Sequence, residues 1–256
     1  EEEFWQLKKE RYPATAKFVK TDSGLKINFT GTYGPGLIEE IKNYALIAEI
    51  IAKENNFDLI HSHDWLTYPA GIAAKKITGK PLVIHVHATE FDRSGGNVNP
   101  KVYAIEREGM ETADKIIAVS NLTRNTIIEK YGIAPEKTEV VYNGVEPSGI
   151  KGNLNIQKGV NEKVVTFLGR ITMQKGPEYF IEAAYLVLKK MGNVRFVMAG
   201  SGDKMTSMIK RVAELGMADK FHFTGFLKGD DVHKMFKHTD VFVMPSVSEP
   251  FGIVPL

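Results

Sequence analysis

Thr166-Phe-Leu-Gly-Arg-Ile-Thr-Met-Gln-Lys-Gly-Pro-Glu178 reads as a strand that ends in two cations and opens onto a helix. Val164 to Leu168 is apolar and β-branched, Gly169 closes it, and Pro177 stands where the first helical turn tolerates proline. Tyr179, Phe180, Ala183, Ala184, Val187 and Leu188 then recur at helical spacing. A helix N-terminus carries about half a positive charge, so Arg170 and Lys175 beside one make a place for a multiply charged anion such as a diphosphate. Two solvated cations on a surface turn are the alternative.

The same strand-then-helix rhythm runs through most of the chain. Upstream, a Gly-rich turn at Gly31 to Gly36 follows a possible strand at Leu25 to Phe29 and precedes an amphipathic helix carrying Leu37, Ile41, Ala45, Ala48 and Ala52. Strands are expected at Phe57 to His63, Pro81 to His87, Lys115 to Val119 and Glu139 to Tyr142, with helices at Trp65 to Ile77, Lys101 to Ala113 and Ser120 to Tyr131. Asn143 to Glu162 breaks the rhythm with scattered Gly and Pro and no apolar period. Beyond it come strands at Val194 to Ala199, Lys220 to Thr224 and Asp240 to Met244, alternating with helices at Lys204 to Leu215 and Asp230 to Lys237. Such alternation predicts an α/β fold of two Rossmann-like, doubly wound parallel-sheet domains, residues 1–150 and 151–256, facing a cleft.

Composition narrows the function classes. The 256 residues are 43% hydrophobic and 25% charged, enough for two cores at roughly 100 to 150 residues per domain. Net charge is only +2 with both signs interleaved, so no nucleic-acid footprint is expected. No stretch has the roughly 20 apolar residues of a membrane span, so no transmembrane segment is expected. Zero cysteines exclude thiolate catalysis and disulfides and fit a cytoplasmic location.

Ligands of open parallel sheets sit beyond the carboxyl ends of the strands. In the first half those ends carry His61-Ser-His63-Asp64-Trp65, His85-Val-His87, Ser120 and Asn143; in the second, Gly169-Arg170, Gly200-Ser-Gly202, Gly225-Phe226 and Pro245 to Gly252 with Glu249 among them. The two His-x-His pairs each project from one face of a strand and could ligate a metal, as in a metal-dependent hydrolase. Nothing else in sequence completes a shell, so one or two facing the cleft, the rest satisfied, is the simpler reading. Gly200-Ser-Gly202 lacks the third glycine and the acidic partner of a dinucleotide fingerprint.

Taken together, His61-Ser-His-Asp-Trp65, Val83-Ile-His-Val-His87, Val119-Ser120, Val141-Tyr-Asn-Gly-Val145, Phe167-Leu-Gly-Arg170 with Lys175-Gly176, and Pro245-Ser-Val-Ser-Glu-Pro-Phe-Gly252 resemble the retaining GT-B glycosyltransferases of family four and the glycogen and starch synthases. The resemblance implies transfer of a hexose, glucose foremost, from UDP- or ADP-glucose to a glucan or other glycan, without a metal cofactor. It implies that Arg170 and Lys175 bind the donor diphosphate, that His87 contacts the transferred sugar, and that Glu249 opens a Glu, seven residues, Glu motif beside that sugar. By the same likeness Phe251, Gly252 and Ile253 offer backbone amides to donor oxygens, while Gly200, Gly202 and Phe226 face the nucleotide. Asp64 matches the synthases' His-Asp-Trp element near the acceptor, with His63, Trp65, Ser120 and Asn143 along the acceptor side or cleft. The second Glu would fall one residue past Leu256 and the family's first Gly-rich loop is not found, so a fragment cut at both ends is expected. A non-catalytic sugar-nucleotide or glucan-binding module would share these features without consuming a donor.

Overall fold

A computed structural model describes Gln6, residues 36–145 and residues 161–256. The strand expected at Leu25 to Phe29, the turn from Gly31 and most of the linker expected over 143–162 lie outside them. The chain divides into two compact units, residues 1–90 with 98–143, and residues 91–97 with 144–256.

The first unit opens with α1 (Leu37–Glu54) and continues β1 (Ile60–His63), α2 (Tyr68–Thr78), β2 (Leu82–Val86), α4 (Pro100–Thr112), β3 (Lys115–Ala118), α5 (Asn121–Tyr131) and β4 (Thr138–Val140); between β2 and α4, all but the first residue of a short α3 (Glu90–Ser94) belongs to the second unit. Its strands pair in parallel in the order β1-β2-β3-β4. Leu82, Ile84, Val86, Ile116 and Ala118 are wholly or almost wholly buried, as continuous apolar strands of a parallel sheet should be. Small residues Ala70, Gly71, Ala73 and Ala74 bring α2 close to the sheet; a β-carbon on Gly71 would overlap Ser62. The Asn99 side chain accepts the Lys101 amide and Pro100 occupies the first turn of α4, while Ser120 caps α5 through the Thr123 amide.

The second unit runs β5 (Lys163–Leu168), α6 (Pro177–Leu188), β6 (Val194–Ala199), α7 (Met205–Glu214), β7 (Phe221–Gly225), α8 (Asp230–His238) and β8 (Val241–Phe242). All pairs are parallel, in the order β7-β6-β5-β8. The chain therefore winds outward from β5 through β6 to β7, then returns to β5's other side. That reversal between β5 and β8 is the topological switch point of a doubly wound sheet, where loops at the carboxyl ends diverge and leave room for a ligand. Phe167, Phe180, Phe196 and Phe221 form the core, with neighbouring ring centroids 5.3 to 6.0 Å apart. Each such buried ring contributes about 1.5–3 kcal/mol relative to exposure.

Some element ends differ from those expected. The helix expected from Trp65 starts at Tyr68, because Asp64 takes a left-handed φ of 58° and its carbonyl accepts the Thr67 amide in a tight turn. The strand expected over Asp240 to Met244 pairs only at Val241–Phe242. The Val243 amide still reaches the Thr166 carbonyl, and then Pro245, with no N–H to give, ends the ladder. Helix α3, at five residues, is too short to show a period.

Candidate functional site

The switch point gathers what the opening stretch carries. After β5 the chain passes Gly169 and Arg170, makes a 3-10 turn at Met173–Lys175, and enters α6 through Gly176 and Pro177. After β8 it passes Pro245 to Gly252. Lys175 Nζ and Glu249 Oε2 meet at 2.6 Å across these two segments, each side chain 21% exposed. Ser246 Oγ donates to the same Glu249 oxygen at 3.0 Å. The buried Gln174 ties the segments together: its carbonyl accepts the Val247 amide at 2.9 Å, and its side-chain oxygen accepts Arg170 Nη2 at 3.2 Å. Ser248 Oγ donates to the buried Asp92 at 2.6 Å, a bond made inside the second unit because residues 91–97 belong to it.

Two glycines make this packing possible. Gly176 has φ 64°, and a β-carbon there would run into the Pro245 carbonyl oxygen, so only glycine lets the two segments close up. Gly200 has φ 138° and stands against the Gly169 carbonyl, which a side chain would displace.

Beside Arg170 lies a cavity of about 320 Å³ lined by Leu168, Gly169, Arg170, Gly200, Ser201, Phe226 and Leu227. Its size suits a small ligand. Arg170 supplies charge on one side, and Phe226, 68% exposed, supplies an aromatic face on another. Gly202 lies outside this lining, exposed, and a β-carbon there would run into the Ile171 backbone. Gly252 is buried, and a β-carbon there would press on the Glu249 side chain; Phe251 is half-buried, and Ile253 is 51% exposed.

In the first unit, His61, His63 and His85 share one face of β1 and β2, opposite the buried Ser62, and His87, just past β2, stacks its ring on those of His63 and His85. Register sets His63 against His85. His63 Nδ1 lies 3.0 Å from His87 Nε2, and ring nitrogens of His61, His63 and His85 fall within 4.8 Å of one another. Burial, then the charges of His87, His63 and His61, pulls His85 down to about 4. Burial, followed by His63 and His87, also lowers His61. Both shifts favour the neutral ring.

Asp64 Oδ1 accepts the His87 amide at 2.8 Å and the Ala88 amide at 3.5 Å, and the Asp64 amide donates to the His85 carbonyl at 3.0 Å. The carboxylate thus fastens the loop that carries His87. Trp65 is only 4% exposed, so its indole is a core side chain here. Ser120 Oγ is occupied in capping α5, and Asn143 lies half-buried just beyond β4. Asp92 carries no sequence signal, and Gln174 and Ser246, though inside quoted stretches, have none of their own, because each acts through a contact made only in the folded chain. Joining the two histidine pairs across strands likewise needs the β1-β2 register.

Residues 27–148 match the Glycosyltransferase Family 4 domain, and residues 154–256 match Glycosyl transferases group 1. An uncharacterized glycosyltransferase of Methanocaldococcus jannaschii is 35% identical over 215 residues, covering 79% of this chain and 55% of that protein. The D-inositol 3-phosphate glycosyltransferase of Salinispora tropica is 29% identical over 249 residues, covering 87% and 52%. The chain thus spans about half the length of these relatives. Among solved structures, Anabaena HepE in complex with UDP and glucose superposes with a TM-score of 0.68 at 24% identity, covering 88% of this chain and 61% of that one. Sucrose-phosphate synthase from Thermosynechococcus elongatus gives a TM-score of 0.70 at 19% identity, covering 87% and 59%. No helix among the described residues is long and apolar enough to cross a membrane. Two parallel Rossmann-like sheets and these matches agree: the chain carries a glycosyltransferase family 4-like domain followed by a glycosyltransferase group 1 domain, with the GT-B type of fold.

Proposed function

We propose that this protein is a retaining hexosyltransferase that moves glucose from UDP- or ADP-glucose to a glucan or another glycan acceptor in the cytoplasm. The observation that carries this reading is the convergence of Arg170, Lys175 and Glu249 on the β5/β8 switch point, with the lined cavity beside Arg170. HepE, of like fold, binds UDP-glucose, which supports a nucleotide-sugar donor here.

On this reading the nucleotide occupies the cavity, with its base against Phe226, and its diphosphate reaches Arg170, Lys175 and the N-terminus of α6. A departing nucleoside diphosphate gains negative charge as the sugar–oxygen bond breaks. Two cations and a helix N-terminus stabilise that charge where it develops. The Lys175–Glu249 bond lets Glu249 aim the ammonium while its carboxylate stays beside the sugar as a hydroxyl acceptor. The Phe251, Gly252 and Ile253 amides hold donor oxygens. The acceptor oxygen then forms its new bond on the face the diphosphate leaves, and a departing phosphate oxygen takes its proton. Stereochemistry is retained without a covalent enzyme intermediate. His87, fixed through Asp64, contacts the transferred sugar. His63 flanks His87, while Asn143 and Ser120 border the acceptor side.

The test is to incubate the complete protein with UDP- and ADP-glucose and with glycogen or short maltooligosaccharides, following donor loss and product anomer by NMR. An α-linked product whose formation persists in chelator supports the reading. Donor hydrolysis independent of acceptor, or a β-linked product, would refute it.

A further inference from the structure

We propose that His61, His63 and His85 form a binding site for a single borderline transition-metal ion such as zinc(II), nickel(II) or copper(II), held by three imidazoles on one face of the β1-β2 pair. His61 and His63 lie two apart on β1 and so project to the same side, and the parallel register places His85 directly across from His63. Ligand nitrogens of the three rings already lie within 4.8 Å of one another. Tetrahedral zinc with nitrogen at about 2.0–2.1 Å sets its ligands roughly 3.3 Å apart. Small side-chain rotations of the two exposed rings on β1 close that gap, with no change in backbone.

A second observation points the same way. His85 Nε2 is buried and has no hydrogen-bond partner among the described residues, which leaves its lone pair or proton uncompensated. A metal ion bound there would satisfy it. The ligand set also selects the ion. Three nitrogen donors with no carboxylate among them suit zinc, nickel or copper and reject magnesium and calcium, which want oxygen. Three protein ligands leave a fourth position for water.

The neighbouring ring completes the arrangement. His63 Nδ1 is 3.0 Å from His87 Nε2, so His63 coordinating through its Nε2 would keep that bond, with Nδ1–H donating to His87. An ion at the site therefore fixes His87 in the tautomer protonated on Nδ1. The site itself does not depend on the transferase reading; only this consequence for His87 does.

The experiment uses untagged protein stripped with a chelator and then dialysed. Zinc chloride is titrated calorimetrically, and cobalt(II) is added as a spectroscopic stand-in. We expect one zinc per chain with a Kd of about 1 µM or below, and the intense visible absorption of four-coordinate cobalt. His61→Ala, at an exposed position, should weaken zinc at least about tenfold without altering the circular dichroism spectrum, as should His85→Gln. His222→Ala, in the second unit, should bind as wild type. Absence of stoichiometric zinc, or zinc binding unchanged in His61→Ala, would overturn the site whether or not His85→Gln folds. One zinc per chain that is lost in His61→Ala supports the site whatever the rate of sugar transfer, which the transferase reading expects to persist in chelator.

Discussion

Lys175 and Glu249, 74 positions apart, form a 2.6 Å ion pair that joins the segment after β5 to the segment after β8. The pair is partly exposed, so its own worth to stability is modest, about 1 kcal/mol or less. Lys175→Ala and Glu249→Ala should therefore each leave Tm nearly unchanged. On binding they should diverge: Lys175→Ala weakens UDP by about ten- to a hundredfold through loss of a charged hydrogen bond. Glu249→Ala weakens UDP less, through loss of the bond that aims the Lys175 ammonium, and lowers turnover of UDP-glucose more. Calorimetry with UDP and initial rates with the sugar nucleotide separate the two.

Gly176 is held by conformation and by space at once, with φ 64° and the Pro245 carbonyl where a β-carbon would go. Gly176→Ala should cost more than the roughly 1 kcal/mol of a left-handed alanine, because the loop after β8 must also move. Chemical denaturation should show a loss of about 2–4 kcal/mol, together with weaker UDP binding. A cost below 1 kcal/mol with native binding would show that the segments are not pressed together there.

Asp64 combines a left-handed φ of 58° with a carboxylate that accepts the His87 amide. Glycine relieves the first and abolishes the second, while asparagine tolerates the conformation and keeps an acceptor. Asp64→Asn should therefore protect the His87 amide from hydrogen exchange nearly as wild type does. Asp64→Gly should expose it at least about tenfold, the equivalent of losing about 1.4 kcal/mol. Equal exchange in both variants would remove Asp64 as the fastener of this loop.

Asp114 supplies a pH dependence. The Lys75 ammonium, then the Leu82 amide, hold its carboxyl below the ordinary carboxylate range. The unfolded chain therefore binds the proton more readily than the folded one. The stabilisation is present above the unfolded carboxylate pKa near 4 and is lost as pH falls through the lower folded value. Asp114→Asn should flatten this acid limb in urea midpoints measured from pH 5 down to pH 2.5. An unchanged acid limb would contradict it.

The strand and helix rhythm was legible because parallel strands are continuous apolar runs and several of the intervening helices carry apolar stripes, while α5 was marked by its Ser120 cap. Val194–Ala199 needed nothing else. The chain ends of weak elements were not legible: β8 stops where Pro245 approaches, and α2 waits for the Asp64 turn. Arg170, Lys175 and Glu249 could be picked out as loop residues after strands, but their meeting depends on the β7-β6-β5-β8 order, which local sequence does not encode. Trp65 shows the converse, since a motif next to candidate site residues says nothing about which way an indole turns, and this one turns inward.

The role given to Arg170 and Lys175 is tested most directly by the free energy that a diphosphate adds to nucleoside binding. UDP against uridine, and ADP against adenosine, should be titrated into wild type and into Arg170→Ala/Lys175→Ala at fixed ionic strength. In wild type at least one diphosphate should bind a hundredfold or more tighter than its nucleoside, about 2.7 kcal/mol, and the double variant should lose most of that difference. The same ratio in both proteins would contradict a diphosphate site at these two cations.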